Sequence, residues 1–432
     1  MKIKGFALTA IALSVVVGLS ACGGGDSSST TSATSTTTTT GPITAFGSIF
    51  VNSTEFDTSS ANITIDGVAA TEVDLKVGMI VSVQNDGTNK AMDVSFNDEV
   101  EGIVTSIIDV TNGQVEVMGQ TITIDDNTIF DSNVVDILDL SMVKEGNVIE
   151  VSGYSDGMGT ITATRIEVKA TAYTIGEELE VKGIVANYTP DIGSGTFQIG
   201  GLTVFYADEN ILPTGFGDGM YVEVESMEAL NDLGQLVASK VSPMSTDMEN
   251  DDYELKGMIM EISGVDLLDG TIKINNKTFI IDANTQFTGA DTSKFIVGAL
   301  VEVEAYKNVD GDLVAKTVEF EDKMGMVNAP LKGKVVTVDI TDVNIGTITL
   351  DDINQSVVLV NNDTIMKDNS AADIQAFNLQ DIAVDNYLMI KVTETISAID
   401  NSTILTATKL TRKNVPAAMP ETPTPGAGTG PV

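Results

Sequence analysis

The sequence has no histidine and no tryptophan, and its 432 residues include one cysteine, Cys22. Each absence removes a chemistry. Without histidine there is no Ser–His–Asp or Cys–His catalysis and no imidazole-ligated haem. A lone cysteine cannot close a disulfide within the chain, nor supply a thiolate zinc or iron–sulfur site. There is no G-x-x-x-x-G-K-[ST] loop and no dinucleotide fingerprint opening a helix. Basic residues are scarce, with 23 Lys+Arg against 62 Asp+Glu and a net charge of −39. A surface of that sign repels nucleic acid and anionic headgroups, and aromatics for stacking bases are only 5% of the chain. Nucleic acid is therefore not expected as a partner, nor is a cofactor. Composition leaves carboxylate-pair hydrolysis open, but no acid pair stands out.

What is present begins with an address. Lys2 and Lys4 precede the apolar run GFALTAIALSVVVGL, and Leu19-Ser20-Ala21-Cys22 follows. A charged start, a short apolar core and small residues before a break describe a secretory signal peptide, residues 1–21. The run is short for a membrane-spanning helix, which needs about 20 residues. LSAC resembles the lipobox of bacterial lipoproteins. That resemblance implies cleavage before Cys22, diacylglycerol on its sulfur and acylation of the new amino group. Cys22 is thus the expected lipid attachment, and the membrane the expected partner through that lipid. Gly23 at the next position, in place of Asp, favours the outer membrane by analogy with lipoprotein sorting. Residues 22–42, GGGDSSSTTSATSTTTTTGP after the cysteine, read as a disordered tether with nothing to bury. The tail 412–432, rich in Pro and Gly, reads the same way.

Between these ends the chain repeats. A strand with an early glycine recurs as EVEGIV, LEVKGIV, ELKGMI and LKGKVV, with Gly102, Gly183, Gly257 and Gly333 spaced 81, 74 and 76 apart. An alternating strand after a turn residue recurs as VGMIVSV, GNVIEVSG, GMYVEVES, GALVEVEA and NYLMIKV. A third marker closes each unit, as in ATRIEV, ASKVSP, AKTVEF and ATKLTR. Five units follow: 43–98, 99–169, 179–241, 254–320 and 331–411, with joints near 170–178, 242–253 and 321–330. The apolar–polar alternation and the Asp-Gly turns predict half-buried strands and tight hairpins. Within 254–320 the plan is three strands, a non-strand stretch and two strands; in unit five, residues 371–380 read as a helix filling that gap. Five strands with a long connection between the third and fourth is the order of the OB-fold barrel. The expected class is all-β, tandem small OB-like barrels as beads on a string, with SH3-like barrels or small sandwiches as the alternative.

Two metal readings fail on spacing. Asn308-Val309-Asp310-Gly311-Asp312 has oxygen ligands near a turn, and Glu249-Asn250-Asp251-Asp252 is acidic. Counting Asp310 as first ligand of a calcium loop puts Lys316 and Thr317 where ligands are needed, and Glu321 twelfth. Hairpin turns and a solvated linker are the better readings. The 17 methionines are scattered rather than in Met-x-x-Met runs, so core filling is preferred to copper capture.

The stretch ITAFGSIFVNSTEF at 43–56 resembles the opening of an uncharacterised bacterial lipoprotein group, carrying the domain of unknown function 5666. The repeats resemble its pattern: G-x-V, then T-x-F, then V-G-x-x-V-x-V, then A-x-x-I. T-x-F stands here as Thr128-Ile129-Phe130 and Thr285-Gln286-Phe287; V-G-x-x-V-x-V stands in full at 77–83 and 297–303. Unit three departs, with Asn210-Ile211-Leu212 at T-x-F, and unit five keeps Thr364-Ile365-Met366. The resemblance implies modular β structure in the envelope and carries no catalytic or binding residue. The expected function is a non-enzymatic outer-membrane or cell-surface lipoprotein, a modular spacer or binding protein for an envelope component. The rival is a carboxylate hydrolase acting on envelope polysaccharide.

Overall fold

The computed structural model describes residues 36–109, 113–132, 134, 139–244, 252–266, 269–289, 295–320, 330–352, 354–396 and 402–414. Unit two shows how one repeat closes. Its strands are Val100–Asp109, Gln114–Val117, Gln120–Ser132, Val148–Ser155 and Thr160–Ala170. The first pairs with the second, the second with the third, the third in parallel with the fifth, the fifth with the fourth, and the fourth back with the first. That 1-2-3-5-4 ring is the OB order. Unit four repeats it with Asp252–Asp266, Asp269–Ile274, Lys277–Ile281, Leu300–Lys307 and Leu313–Phe320. Unit five follows the same order with Leu331–Asp342, Ile345–Leu350, Val357–Val360, Tyr387–Ile396 and Thr403–Lys413. The expected all-β, OB-like architecture is the one observed.

The repeated residues hold the ring shut. A Cβ added at Gly102 would lie 2.5 Å from Met118 Cε, and one at Gly257 would lie 2.6 Å from Ile274 Cγ2. The first strand must pass that close to the end of the second, so it carries no side chain there. The V-G turn before the fourth strand docks on the first. The amides of Gly78, Gly146, Gly219 and Gly298 donate to the carbonyls of Ile43, Val104, Val185 and Ile259 at 2.8–2.9 Å, and that of Asp385 donates to Val335 at 2.9 Å. All five units keep this bond. The T-x-F threonine and the A-x-x-I alanine are partners: Thr128 Oγ1 donates to the Ala163 carbonyl at 2.8 Å, Thr285 to Ala315 at 2.9 Å and Thr364 to Ala407 at 3.0 Å. In unit two the threonine thus stitches the third strand to the fifth; in units four and five it lies just past the third strand and ties the connection that follows to the fifth.

The helix expected over 371–380 does not form. Asp368 Oδ2 accepts from the Ile374 amide, Asp373 sits at φ 45°, and only Leu379–Asp381 makes a single 3-10 turn. Asn378 caps that turn while Asp381 bonds back to the Asn378 amide. These side chains offer the backbone nearer partners than a helix would. Phe377 and Leu379 are fully buried and plug the barrel end.

The units do not hang as beads on a string; they share sheets and cores. The first strand of unit one, Thr37–Phe46, begins within the span read as tether. Thr37–Thr40 lie parallel to 252–255 of unit four on one edge and antiparallel to 82–85 on the other. β-branched threonine suits a strand once neighbours offer ladders. The ITAFGSIFVN hairpin then serves two cores. Ile43, Phe46, Ile49 and Val51 fill unit one, while Ala45 and Phe50 enter the core of unit five. An irregularity at Thr44 allows this, and Thr44 Oγ1 bonds the Asn362 carbonyl at 2.8 Å. Units two and three are joined where Glu180 and Val181 pair with Glu101 and Val100.

Candidate functional site

Cys22 and the signal peptide lie outside the described residues, as do Glu249, Asn250 and Asp251. Asp252 pairs with Lys316 across the edge of unit four. Asn308–Asp312 is a hairpin turn: Asn308 Oδ1 accepts from the Asp310 amide at 3.0 Å and the Asp312 amide at 2.8 Å. The two aspartates are exposed and do not converge with other acids among the described residues. Met79, Met118 and Met366 sit in cores.

Charge converges instead at the junction of units one, two and three. The first strands of units two and three pair, so Glu101 stands beside Glu180, and on its other side beside Glu150. Lys182 lies among them almost fully buried. Its Nζ is 2.5 Å from the Asp98 carbonyl, 3.5 Å from Asp98 Oδ1 and 3.6 Å from Glu223 Oε2, and it pairs with Glu180. Lys169 bonds Glu150 at 2.8 Å and lies 3.8 Å from Glu101. Two ammoniums do not balance these acids. Burial, reinforced by neighbouring carboxylates, pushes Asp66, Asp98 and Glu223 upward, and Glu101 to about 7. Carboxylate oxygens of Asp66, Asp98 and Glu180, and of Asp98, Glu101 and Glu150, lie within 4.8 Å of one another. Each group already has an ammonium against it, which leaves the seam a buried ion network.

Beside this seam is a cavity of about 210 Å³ where four units meet. Glu99 and Ser155 come from unit two, Tyr221 from unit three, and Asn275, Asn276 and Lys277 from the second hairpin of unit four; Thr40, Ser82, Ser95 and Asn97 close the unit-one side. Glu99 is the one carboxyl of this lining. Its Oε2 is buried without a hydrogen-bond partner among the described residues. Burial raises its pKa to about 7 against the pull of Lys182, and the Tyr221 hydroxyl faces it. The Lys277 ammonium has no ion pair or hydrogen bond among the described residues, and burial lowers its pKa. The wall thus offers a protonatable carboxyl, a phenol, an ammonium and several hydroxyls and amides. None of these residues belongs to a motif with spacing of its own. The one sequence signal was the acid-rich lead into the first strand, as in EVEG, which places Glu99 and Glu101.

The profile of a domain of unknown function (DUF5666) matches two segments of the chain, residues 101–167 and 256–319. They are the barrels of units two and four. No curated protein matches. Among solved structures, Drosophila Unr CSD456 is similar over 52% of this chain and 94% of its own, at 12% identity and a TM-score of 0.13. A multidomain protein with nucleic acid binding domains from Streptococcus pneumoniae TIGR4 is similar over 53% of this chain and 72% of its own, at 10% identity and a TM-score of 0.16.

Proposed function

We propose that the chain is a non-enzymatic lipoprotein of the bacterial outer membrane, anchored through Cys22, whose clustered barrels bind an envelope component at the four-unit cavity. The observation that carries the binding role is that cavity's lining. Three serines, one threonine and three asparagines surround it with donors and acceptors. Such a wall suits a hydroxyl-rich ligand, a sugar unit of envelope polysaccharide, since polar groups few and fixed give orientation. The net charge of −39 argues against nucleic acid, whose phosphates demand a basic groove. Hydrolysis of the same polysaccharide would need a second carboxylate beside Glu99, and the lining supplies none.

Two experiments test the two halves. Cys22→Ala is expected to abolish palmitate labelling and release the protein from the outer-membrane fraction. Retained labelling in the mutant would sink the anchor. Titration of the full chain with fragments of envelope polysaccharide is expected to give saturable heat, at least tenfold weaker for Lys277→Gln. Release of reducing ends during that titration would favour the hydrolase; absence of any heat would overturn the binding role.

A further inference from the structure

The hairpin that unit four sends to the four-unit cavity differs from its counterparts at one position. In units two, three and four a two-residue turn joins the second strand to the third, and the residue after the turn opens the third strand. In unit two that residue is Gln120, buried, and its side-chain amide donates to the Ile199 carbonyl of unit three at 2.9 Å. In unit three it is Leu202, buried in the core. In unit four it is Lys277. Asn275 and Asn276 form the turn at φ 45° and 61°, and the register sets Lys277 opposite Ile274. Strand alternation puts Lys277 on the same face as Phe279 and Ile281, both in the core of unit four. An ammonium thus stands at the mouth of an apolar barrel, where the cavity begins.

Nothing among the described residues answers that charge. The Lys277 ammonium has no ion pair or hydrogen bond there, and burial is the one cause that moves its pKa; no described carboxylate acts on it. A buried ammonium without a partner is costly, and the amide or apolar side chain of the sister units would avoid that cost. Glu99, the one carboxyl of the cavity, does not serve. The ammonium that acts on it is Lys182, with the Tyr221 hydroxyl facing it and Glu180 nearby. Lys277 and Glu99 therefore share one wall without pairing, and the rest of the polar lining is neutral.

We propose that the sugar taken by the four-unit cavity is an acidic one, a hexuronate whose carboxylate pairs with the Lys277 ammonium while its ring hydroxyls meet the neutral polar wall. This rests on the sugar-binding reading above and specifies its ligand. A neutral sugar offers Lys277 only hydroxyl oxygens, and a hydrogen bond between two ionised groups is the stronger kind. One ammonium suits a monoanion, whereas a phosphate dianion calls for more positive charge than this lining holds. Burial raises the Glu99 carboxyl to about 7, so below that pH it is protonated and does not repel the ligand's carboxylate.

The test is calorimetry on the full chain at pH 6 and constant ionic strength. The probes are glucuronate, glucuronamide, in which a neutral amide replaces the carboxylate at nearly the same shape, and fragments of envelope polysaccharide. Glucuronate is expected to saturate one site and to bind at least tenfold tighter than glucuronamide. Lys277→Gln should abolish that preference, and Lys277→Arg should keep it. The glutamine variant deprives no described residue of a partner, so its melting temperature should not fall; a marked fall would place a partner for the ammonium within the chain and overturn the proposal. Glucuronate binding no tighter than glucuronamide, whether both bind or neither does while the polysaccharide fragments still do, would overturn the acidic ligand and leave the sugar-binding reading standing. No saturable binding of any of the three probes would overturn both.

Discussion

Unit two meets unit three along a row of glutamates and meets unit five across a face of lysines, where Lys367, Lys391, Lys409 and Lys413 line a cavity of about 180 Å³. Unit two brings its first and fourth strands to one interface and its third strand to the other, and both gather like charges. They relieve them differently. In the glutamate seam Glu101 lies between Glu150 and Glu180, and relief comes from Lys182, Lys169 and raised carboxyl pKa values. In the lysine face relief comes from a backbone carbonyl at Lys409 and from Asp131. Burial works against ionised Asp131, yet Arg165 and Lys367 outweigh it and hold its carboxyl at about 2. One interface therefore stores protonatable acid near neutrality, and the other keeps its acid ionised. Within one repeat plan, inward residues close the barrels while outward residues set each contact's chemistry.

The largest effect should come from removing the seam's central cation. Lys182→Met leaves Asp98, Glu180 and Glu223 buried without their ammonium, a break that costs about 3–5 kcal/mol. Urea unfolding at pH 8 should show that loss, and at pH 5 a much smaller one, because Asp98 and Glu223, already pushed upward, can take up protons. An equal loss at both pH values would mean that the seam is not electrostatically strained.

The pH profile of the intact protein sharpens the same contrast. Glu99 and Glu101 have folded pKa values of about 7, above the ordinary 4.5. The folded state binds more of these protons, so their stabilising contribution is full below about 4.5 and is lost as pH rises through about 7. Asp131 is opposite in sign: its contribution is full above the ordinary carboxyl range and is lost as pH falls toward 2. Thermal melts should peak near pH 5, falling toward pH 8 through the seam and toward pH 2 through the lysine face. Glu99→Gln with Glu101→Gln should flatten the alkaline limb alone.

Smaller effects probe what the two interfaces share. Gly257→Ala places a Cβ 2.6 Å from Ile274 Cγ2 and 2.8 Å from Asn275 Oδ1, overpacking worth about 1–3 kcal/mol. Gly102→Ala meets the flexible end of Met118 first, and its melting temperature should drop less. Smallest is Thr285→Val, in unit four, which removes one half-buried hydrogen bond to Ala315 at about 1 kcal/mol. Thr128→Val, in the lysine pocket's wall, should cost about the same in stability. A much larger loss there would show that the pocket depends on the third-strand stitch as well as on charge.

Much of the architecture was legible in the chain. Gly102, Gly183, Gly257 and Gly333 marked the first strands because a close approach tolerates no side chain, and T-x-F with A-x-x-I marked a bond to the fifth strand of one barrel. Such constraints act within some 80 residues and leave a local trace. The 371–380 segment misled because its apolar spacing suits a helix, while Asp368, Asn378 and Asp381 capture its amides. The threonine run at 37–40 misled because low complexity says nothing about whether a sheet edge is waiting for it. Composition set the limits on chemistry: no histidine, one cysteine and a large excess of acid. Only the tertiary structure decided where charge would gather. Glu99, Tyr221 and Lys277 belong to three units, and Lys391 and Lys413 face Thr128 from the opposite end of the chain. Strand alternation fixes which side a residue faces, but not which unit will cover that side. That is settled when buried area and charge balance bring distant barrels together, and no single repeat encodes it.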